Sequence, residues 1–530
     1  MPSDLGVSAW RMVSLGIIFL SLLGGAWIQS KVTLGADIGW LIRSVRLMFE
    51  GQRFGVDIFE PNLPVTWYLC MPAAWMVEYL GLGEVSAIRL WIWIVAGISL
   101  LVARACIIRS GDRSYVLLAE FSAAAVAACI LVGASFGQRE HLAFLLAAPY
   151  LFVVRLKSGG TTVESRNAAV AGVLAGIAFS IKPVFAAIPL IVELALFVFR
   201  RVQMRLIRPE TLAMAVAGCV SFFGTIFLAP GYLAHVVPAT YATYWAYDSP
   251  AHLLLAGYPV AVAVMLAWLV AAIADSRMLH ALLVWLAAFG AWTVSYFFQR
   301  RGFDYHGFPA VACAFVISVS MLAMLVYYMR TTPGQLTSTT AVAWKRIKIV
   351  AGAALILITS PSLADGAYYW FRGSRENWQF SRTAMREEMI GFFGSLGVMQ
   401  GRSVFVFSTN PFPAFPTLNY LDADWVGPDI AQYLLPAWLR KKEVRDPERV
   451  QAIDAAMVIQ REHVRQSIVE GKPDVILVSS RSRSGSIHGT GTARIDYFSI
   501  FGADPAVANA LGRYRKVAEQ RGFAVYLRQD

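Results

Sequence analysis

Apolar runs of bilayer-crossing length, or close to it, recur along the first two thirds of this chain. They fall near residues 10–30, 86–108, 115–134, 140–155, 168–181, 184–199, 211–229, 252–273, 278–298, 306–329 and 346–364. A hydrocarbon core about 30 Å thick takes about 20 apolar residues of helix. Only helices and closed barrels satisfy the backbone in such a layer, so runs of this length read as spanning helices. Composition agrees: 57% of the 530 residues are hydrophobic, 15% are charged, and the mean hydropathy is +0.56. A set of soluble domains would carry about 25% charged residues, so that class is excluded. The run 13–28 lacks a convincing cleavage site and reads as the first span, not as a removable signal peptide.

Charge divides the chain further. Residues 1–365 hold 25 Lys+Arg and 17 Asp+Glu, whereas the last 165 hold 21 and 17 and contain no spanning run. We therefore predict a membrane region over 1–365, with a first outer loop at 31–85, and a soluble domain over 366–530. In the tail, SVFVF (403–407), DVILV (474–478) and FAVYL (523–527) read as strands, and the stretches near 440–470 and 504–520 as helices. That alternation predicts a small α/β domain. Asp422-Ala423-Asp424-Trp425 reads as a solvated loop or a cation or sugar contact, and 481–492 as a flexible basic loop.

The stretch 168–199 is either one helix kinked at Pro183 or two short spans meeting at Lys182-Pro183. Basic residues choose between these. With two spans and a cytoplasmic N-terminus, the inward loops and their edges carry fourteen Lys/Arg: Arg109, Arg113, Arg155, Lys157, Arg166, Arg200, Arg201, Arg205, Arg208, Arg277, Arg330, Lys345, Arg346 and Lys348. The short outward loops carry Arg139, Lys182, Arg300 and Arg301. Eleven spans then put the tail outside, as expected for a bacterial inner-membrane protein with a periplasmic or extracellular C-terminal domain. The net charge of +12 becomes loop charge, with no Walker or GxGxxG motif to suggest nucleotide and no nucleic-acid signature. The five cysteines form no CxxC or disulfide pattern and read as small apolar residues.

Ionisable groups in or beside spans are costly, so each is a functional candidate. Asp37 follows the first span and opens a helix-spaced apolar pattern, Ile38–Glu50, which reads as an amphipathic helix in the interface with Arg43, Arg46 and Glu50 facing elsewhere. Asp37 is either a helix N-terminal partner or a general base. Asp57 and Glu60 lie in VDIFEPNLP, where Asp57 reads as solvated loop and the prolines are rigid enough to aim Glu60; Leu63–Tyr79 reads as a second interfacial piece. Arg139, Glu140 and His141 open a span, and either bridge one another or hold a phosphate and orient an acceptor or metal. Lys182 either snorkels or meets an anion. Gln299, Arg300, Arg301, Asp304, Tyr305 and His306 form QRRGFDYH, whose two arginines suit bidentate phosphate binding or lipid headgroups. The loop 232–252, with Tyr244 and Trp245, reads as an aromatic belt or a sugar-stacking surface.

This pattern resembles the GT-C superfamily of integral-membrane glycosyltransferases, in particular the branch of lipid A aminoarabinose transferases and protein O-mannosyltransferases. The resemblance covers roughly residues 10–330. It rests on Ala36-Asp37-Ile38 with Glu50-Gly51, on Phe59-Glu60-Pro61-Asn62-Leu63-Pro64 with Trp67-Tyr68, on Glu140, on Gly176 with Ile181-Lys182-Pro183, and on Arg301, Tyr305 and Pro309. Ile38 stands where the family often has a second acid, and the basic residue expected after Glu60 is absent. The resemblance implies inverting transfer of a sugar from a polyprenyl-phosphate donor to a hydroxyl of a lipid, glycan or protein. Asp37, Glu60 and Glu140 would carry catalysis. Lys182, Arg139, Arg300, Arg301, Tyr305 and His306 would hold the donor phosphate. Asp57, Trp67, Tyr68, His141, Tyr244 and Trp245 would contact acceptor or sugar. It requires no nucleotide, names no metal ligands and leaves a divalent cation open. The expected fold class is a polytopic α-helical membrane protein of about eleven spans, GT-C-like, with a soluble C-terminal α/β domain on the outer face. The rival functions are a Wzy-type polysaccharide polymerase and a lipid or sugar transporter (flippase).

Overall fold

The computed structural model of the chain describes residues 6–112, 114–199, 207–250, 254, 276–331, 378–397, 400–412, 414–479, 495–520 and 522–529. Helices appear wherever an apolar run falls on these residues. In chain order they are α1 (Val7–Lys31), α2 (Ala36–Phe49), α3 (Val65–Leu80), α4 (Glu84–Ser110) and α5 (Tyr115–Val126), which continues as a π-helical turn at Ala127–Leu131. Next come α6 (Arg139–Ser158), α7 (Ser165–Ser180), a 3₁₀ turn (Pro183–Ala186) leading into α8 (Ala187–Phe199), and α9 (Pro209–Leu228). A π turn at Tyr232–Val236 precedes α10 (Val237–Thr243), and α11 (Ser276–Gln299) and α12 (Phe308–Thr331) follow among the described residues. Among the described residues six apolar stretches are long enough to cross a membrane: Val7–Lys31, Glu84–Ser110, Arg139–Ser158, Pro209–Leu228, Leu279–Gln299 and Tyr305–Met324. Tyr115–Leu131 and Pro183–Phe199 are shorter apolar helices. This is a multi-pass membrane protein. The runs expected near 252–273 and 346–364, and the loop 481–492, lie outside the described residues.

The chain divides into two compact units, and the division does not follow a cut at residue 365. One comprises Met1–Val32, Ile92–Phe223 and Ala251–Asn377; the other comprises Thr33–Trp91, Gly224–Pro250 and Trp378–Asp530. In the first, α7 stops at Ser180 and Lys182 is extended (φ −135°, ψ 141°). The α conformation is disfavoured for a residue before proline, and Pro183 then opens the next turn. The two-helix reading of 168–199 is therefore the structure. Helix α7 packs its backbone on α9 through Gly172 and Gly176, where a Cβ would collide with the Glu210 carbonyl and the Met214 carbonyl respectively. Small residues four apart permit that approach. Around the Gly172–Glu210 contact, basic residues counted as loop charge are paired with acids, of which Glu120 and Glu210 are buried and Glu193 half-buried. Arg155 meets Glu120 at 3.1 Å, Lys157 meets Glu210 at 2.7 Å, and Arg208 bridges Glu193 and Glu210.

The second unit gathers α2 and α3 with the tail helices α13 (Trp378–Ser395), α14 (Ala414–Leu421), α15 (Leu435–Leu439), α16 (Pro447–Arg465), α17 (Tyr497–Phe501) and α18 (Pro505–Leu511). Its sheet has the order β2-β1-β3-β5-β4, with β1 (Ser403–Phe407) parallel to β2 (Asp424–Trp425) and to β3 (Val475–Ser479). The hairpin β4 (Tyr514–Gln520) and β5 (Phe523–Arg528) closes it antiparallel. Phe405, Phe407, Met457 and Ile476 lie in its core, under α16. Two expectations need correction here. The stretch 504–520 is helical only to Leu511; Gly512 ends the helix and Tyr514–Gln520 pairs with β5 through a turn containing Gly522 (φ +83°). And Asp424–Trp425, expected as loop, is a strand with Trp425 buried.

Helix α2 is also not the half-exposed interfacial helix the periodicity suggests. Arg43, expected to face away, is 3% exposed. Its Nε lies 2.8 Å from Glu84 Oε1, which also meets Arg46 Nη1 at 3.3 Å, while Asn419 Nδ2 donates to Glu84 Oε2 at 2.7 Å. Removing one partner of a buried pair strands the other charge and costs about 3–5 kcal/mol. Glu84→Ala is expected to destabilise the protein by that order, read in detergent as a clearly lowered thermal unfolding midpoint. Asp422→Asn, touching only the exposed end of this cluster at 3.9 Å from Arg46, should leave it almost unmoved. Equal midpoints for the two variants would refute the buried-pair account.

Candidate active site

In the membrane unit the break after α7 presents Lys182 to three other elements. Its Nζ donates to Glu140 Oε1 at 2.5 Å and to Gln299 Oε1 at 2.8 Å, and stands 3.3 Å from His306 Nε2. His306 Nε2 is itself 3.5 Å from Glu140 Oε1. Glu140 opens α6, Gln299 ends α11, and His306 sits in the 3₁₀ turn Asp304–Gly307 before α12. The amide of Gln299 is oriented by donating to Ser295 at 3.3 Å. Lys182, Glu140 and His306 are buried, and Arg139 and Arg301 lie close enough for their charges, with that of Lys182, to act on His306. Among the described residues Glu140 Oε2 and His306 Nδ1 have no hydrogen-bond partner. Phe303 and Tyr305 crowd the imidazole at 5.4 and 4.6 Å. The cluster is therefore one buried ammonium–carboxylate pair beside an imidazole, with the charges of Arg139 and Arg301 nearby and one polar atom each on Glu140 and His306 to spare. Arg300 is exposed in a left-handed conformation (φ +56°) in the turn after α11.

His141 is placed differently from its expected role as an acceptor contact. Its Nδ1 accepts from the Gly137 N–H at 3.0 Å, so the proton sits on Nε2, which donates to Ala128 O in the π turn at 2.8 Å. Both nitrogens are thus used to anchor the start of α6, and with it Glu140. His141→Ala leaves a buried carbonyl and N–H without this partner, each costing about 1–3 kcal/mol. A clear drop in the unfolding midpoint is expected; an unchanged midpoint would contradict the anchoring role.

In the second unit Asp37 is the second residue of α2, half-buried, after the extended Gly35. Glu60 is 3% exposed, and its carboxylate accepts from Trp40 Nε1 at 2.9 Å, from the Asn62 N–H at 3.1 Å and from the Asn62 amide. Tyr232 Oη donates to Pro61 O at 3.1 Å, fixing the adjoining proline. Asp57 is a loop residue, paired with Arg53 at 3.0 Å, whose side-chain hydrogen bond draws its carboxyl below the usual range. Trp67 is buried with its N–H on Ser44 Oγ at 2.7 Å and its ring against Phe54, so the indole serves the core. Trp245 lies under the guanidinium groups of Arg440 and Arg449, at 5.0 and 5.5 Å. Those cations occupy its π faces as a sugar would. Tyr68 is half-buried on α3, and Tyr244 packs on Tyr247.

The sequence reading passed over a buried polar group in the tail. Asp429 Oδ2 accepts from Gln460 Nε2 at 2.8 Å and lies 2.9 Å from His463 Nδ1. Burial opposes protonation of His463, but the Asp429 carboxylate outweighs it and raises the imidazole above its ordinary range. Gln460 and His463 share a face of α16 with apolar residues, a spacing that signals only core. Asp429 reads as a turn residue in WVGPDI, so only the tertiary fold reveals the pair. Among the described residues no cluster of three or more His, Cys, Asp or Glu side chains is disposed to hold a metal ion.

The fold described above is shared with a solved membrane-protein structure. The solved structure of ArnT from Cupriavidus metallidurans bound to undecaprenyl phosphate matches it with a TM-score of 0.50 at 16% identity, covering 98% of this chain and 97% of that one. The apo state of the same protein gives a TM-score of 0.46 at the same identity and coverage. No protein-family model matches the chain, and no curated protein does.

Proposed function

We propose that this chain transfers a sugar from a polyprenyl-phosphate donor to an acceptor hydroxyl at the outer face of a bacterial inner membrane, with inversion at the anomeric carbon. The observation that carries the reading is the buried Lys182, Glu140 and His306, joined by the half-buried Gln299, with the charges of Arg139 and Arg301 beside them. Undecaprenyl phosphate in the ArnT structure supports a donor of that class. In the proposed reaction Asp37 takes the acceptor's hydroxyl proton as its oxygen bonds to the anomeric carbon. The bond from that carbon to the phosphate oxygen breaks, and polyprenyl phosphate leaves with the electron pair. Negative charge then gathers on the phosphate, where fixed cations stabilise the transition state more than the ground state. Glu140 sets the position of Lys182, and its second oxygen serves to orient a sugar or acceptor hydroxyl. Arg300 and Tyr305 supply outer contacts to the phosphate.

The test is purified full-length protein with a panel of radiolabelled polyprenyl-phosphate sugars and a lipid extract of the native membrane as acceptor. Label is expected to move from one donor into an acceptor fraction, with release of polyprenyl phosphate. No transfer from any donor, together with movement of an intact labelled lipid across protein-containing vesicles, would replace this reading with a transporter. Chain lengthening of a glycan from a diphosphate-linked donor would replace it with a polymerase.

A further inference from the structure

The carboxylate of Glu60 is held by Trp40 and Asn62, but its backbone is held by the tail. Phe59, the residue before it, donates its N–H to Pro428 O at 2.9 Å. The Phe59 ring is 2% exposed and caught on two sides, stacked on Tyr433 at 6.0 Å and edge-on to His463 at 4.8 Å. Asp429 aims the His463 ring, and Gln460 ties Asp429 to α16 while its Oε1 accepts from the Leu434 N–H at 3.4 Å. Every one of these groups lies within the second unit. The hydroxyl of Tyr433 is pushed well above its ordinary range by burial and then by the charges of Asp429 and Glu60, which places both carboxylates near it. A buried imidazole–carboxylate pair is a costly thing to keep beneath a loop unless its geometry matters.

We propose that the C-terminal tail is a positioning element for Glu60, with Asp429 and His463 as positioning residues that clasp Phe59 and so fix the carboxylate one residue further on. The clasp is local and rigid. Two rings and one backbone hydrogen bond define where Phe59 sits, and Pro61 limits the freedom of the chain beyond Glu60. The importance of Glu60 to transfer rests on the function proposed above; the mechanical link between tail and loop does not.

Hydrogen exchange of the purified full-length protein tests the link independently of activity. In Asp429→Ala, exchange in peptides covering residues 57–62 is expected to rise on the order of tenfold while the β1 and β3 strands keep their protection. Asp429→Asn, which retains an acceptor for the ring, should restore most of it. Asp454→Asn, in the same tail but bonded to Trp438 and Lys441, should change nothing at 57–62. Once a donor is identified, Asp429→Ala should lower kcat by roughly tenfold or more with KM for the donor little changed, the mark of a misplaced group rather than a lost binding contact. Unchanged exchange at 57–62 overturns the proposal, as does a rise spread evenly over the sheet, which would make Asp429 a general stabiliser. A wild-type protein that transfers nothing would refute the proposed function and leave the exchange result to decide the clasp.

Discussion

Asp37→Asn is expected to lower sugar transfer by about 10²–10⁴-fold, the range that general base catalysis supplies. The substitution keeps the size and polarity of the side chain and removes its ability to take a proton. Asp37 sits in the first turn of α2, where a carboxylate also favours the helix dipole. If that were its whole role, the variant would lose about 0.3–1 kcal/mol of stability and transfer at the wild-type rate. The two roles are therefore separated by measuring both quantities on the same preparation. A folded Asp37→Asn protein with undiminished transfer removes the base assignment.

The second large effect falls on Lys182. Lys182→Met is expected to reduce transfer by about 10²–10³-fold, as loss of a fixed transition-state partner does. The single variant has a confounding consequence, because Glu140 would be left buried without its cation. Lys182→Met combined with Glu140→Gln removes both charges and so relieves that cost. If Lys182 serves the leaving phosphate, the double variant folds and stays inactive. If Lys182 only neutralises Glu140, the double variant recovers transfer toward the wild-type rate. Lys182→Arg should not restore activity fully, since a planar guanidinium cannot make the same compact approach to Glu140, Gln299 and His306.

Much of the fold was legible because the signals were one-dimensional. Long apolar runs give helices whatever surrounds them, and Lys182-Pro183 marks its own break. The strands SVFVF, DVILV and FAVYL carry the β-branched and aromatic content of a buried sheet. Tyr514–Gln520 escaped because its composition (Arg515, Lys516, Glu519, Gln520) favours an exposed helix, and only pairing with Phe523–Arg528 makes it a strand. At the candidate site, the charge pattern marked Arg139, Lys182, Arg300 and Arg301 as outward exceptions, with Glu140 and His306 singled out as ionisable groups beside spans, and the structure brings Lys182, Glu140 and His306 into contact. Gln299 stood beside two arginines and, lacking charge, drew little attention, yet it accepts a hydrogen bond from Lys182 at 2.8 Å. His141 drew attention as an ionisable group and is held by backbone on both sides. Arg43 with Glu84, and Asp429 with His463, are separated by 41 and 34 residues, so no local spacing announces them.

The central claim is that the Lys182 cluster receives the donor's phosphate, and ligand binding tests it without knowledge of sugar or acceptor. Undecaprenyl phosphate is titrated into detergent-purified wild-type protein and into the Lys182→Met, Glu140→Gln double variant. Saturable binding to the wild type, weakened at least about tenfold in the variant (roughly 1.4 kcal/mol), is the predicted result. Equal binding by both proteins, or none that saturates in the wild type, would contradict it.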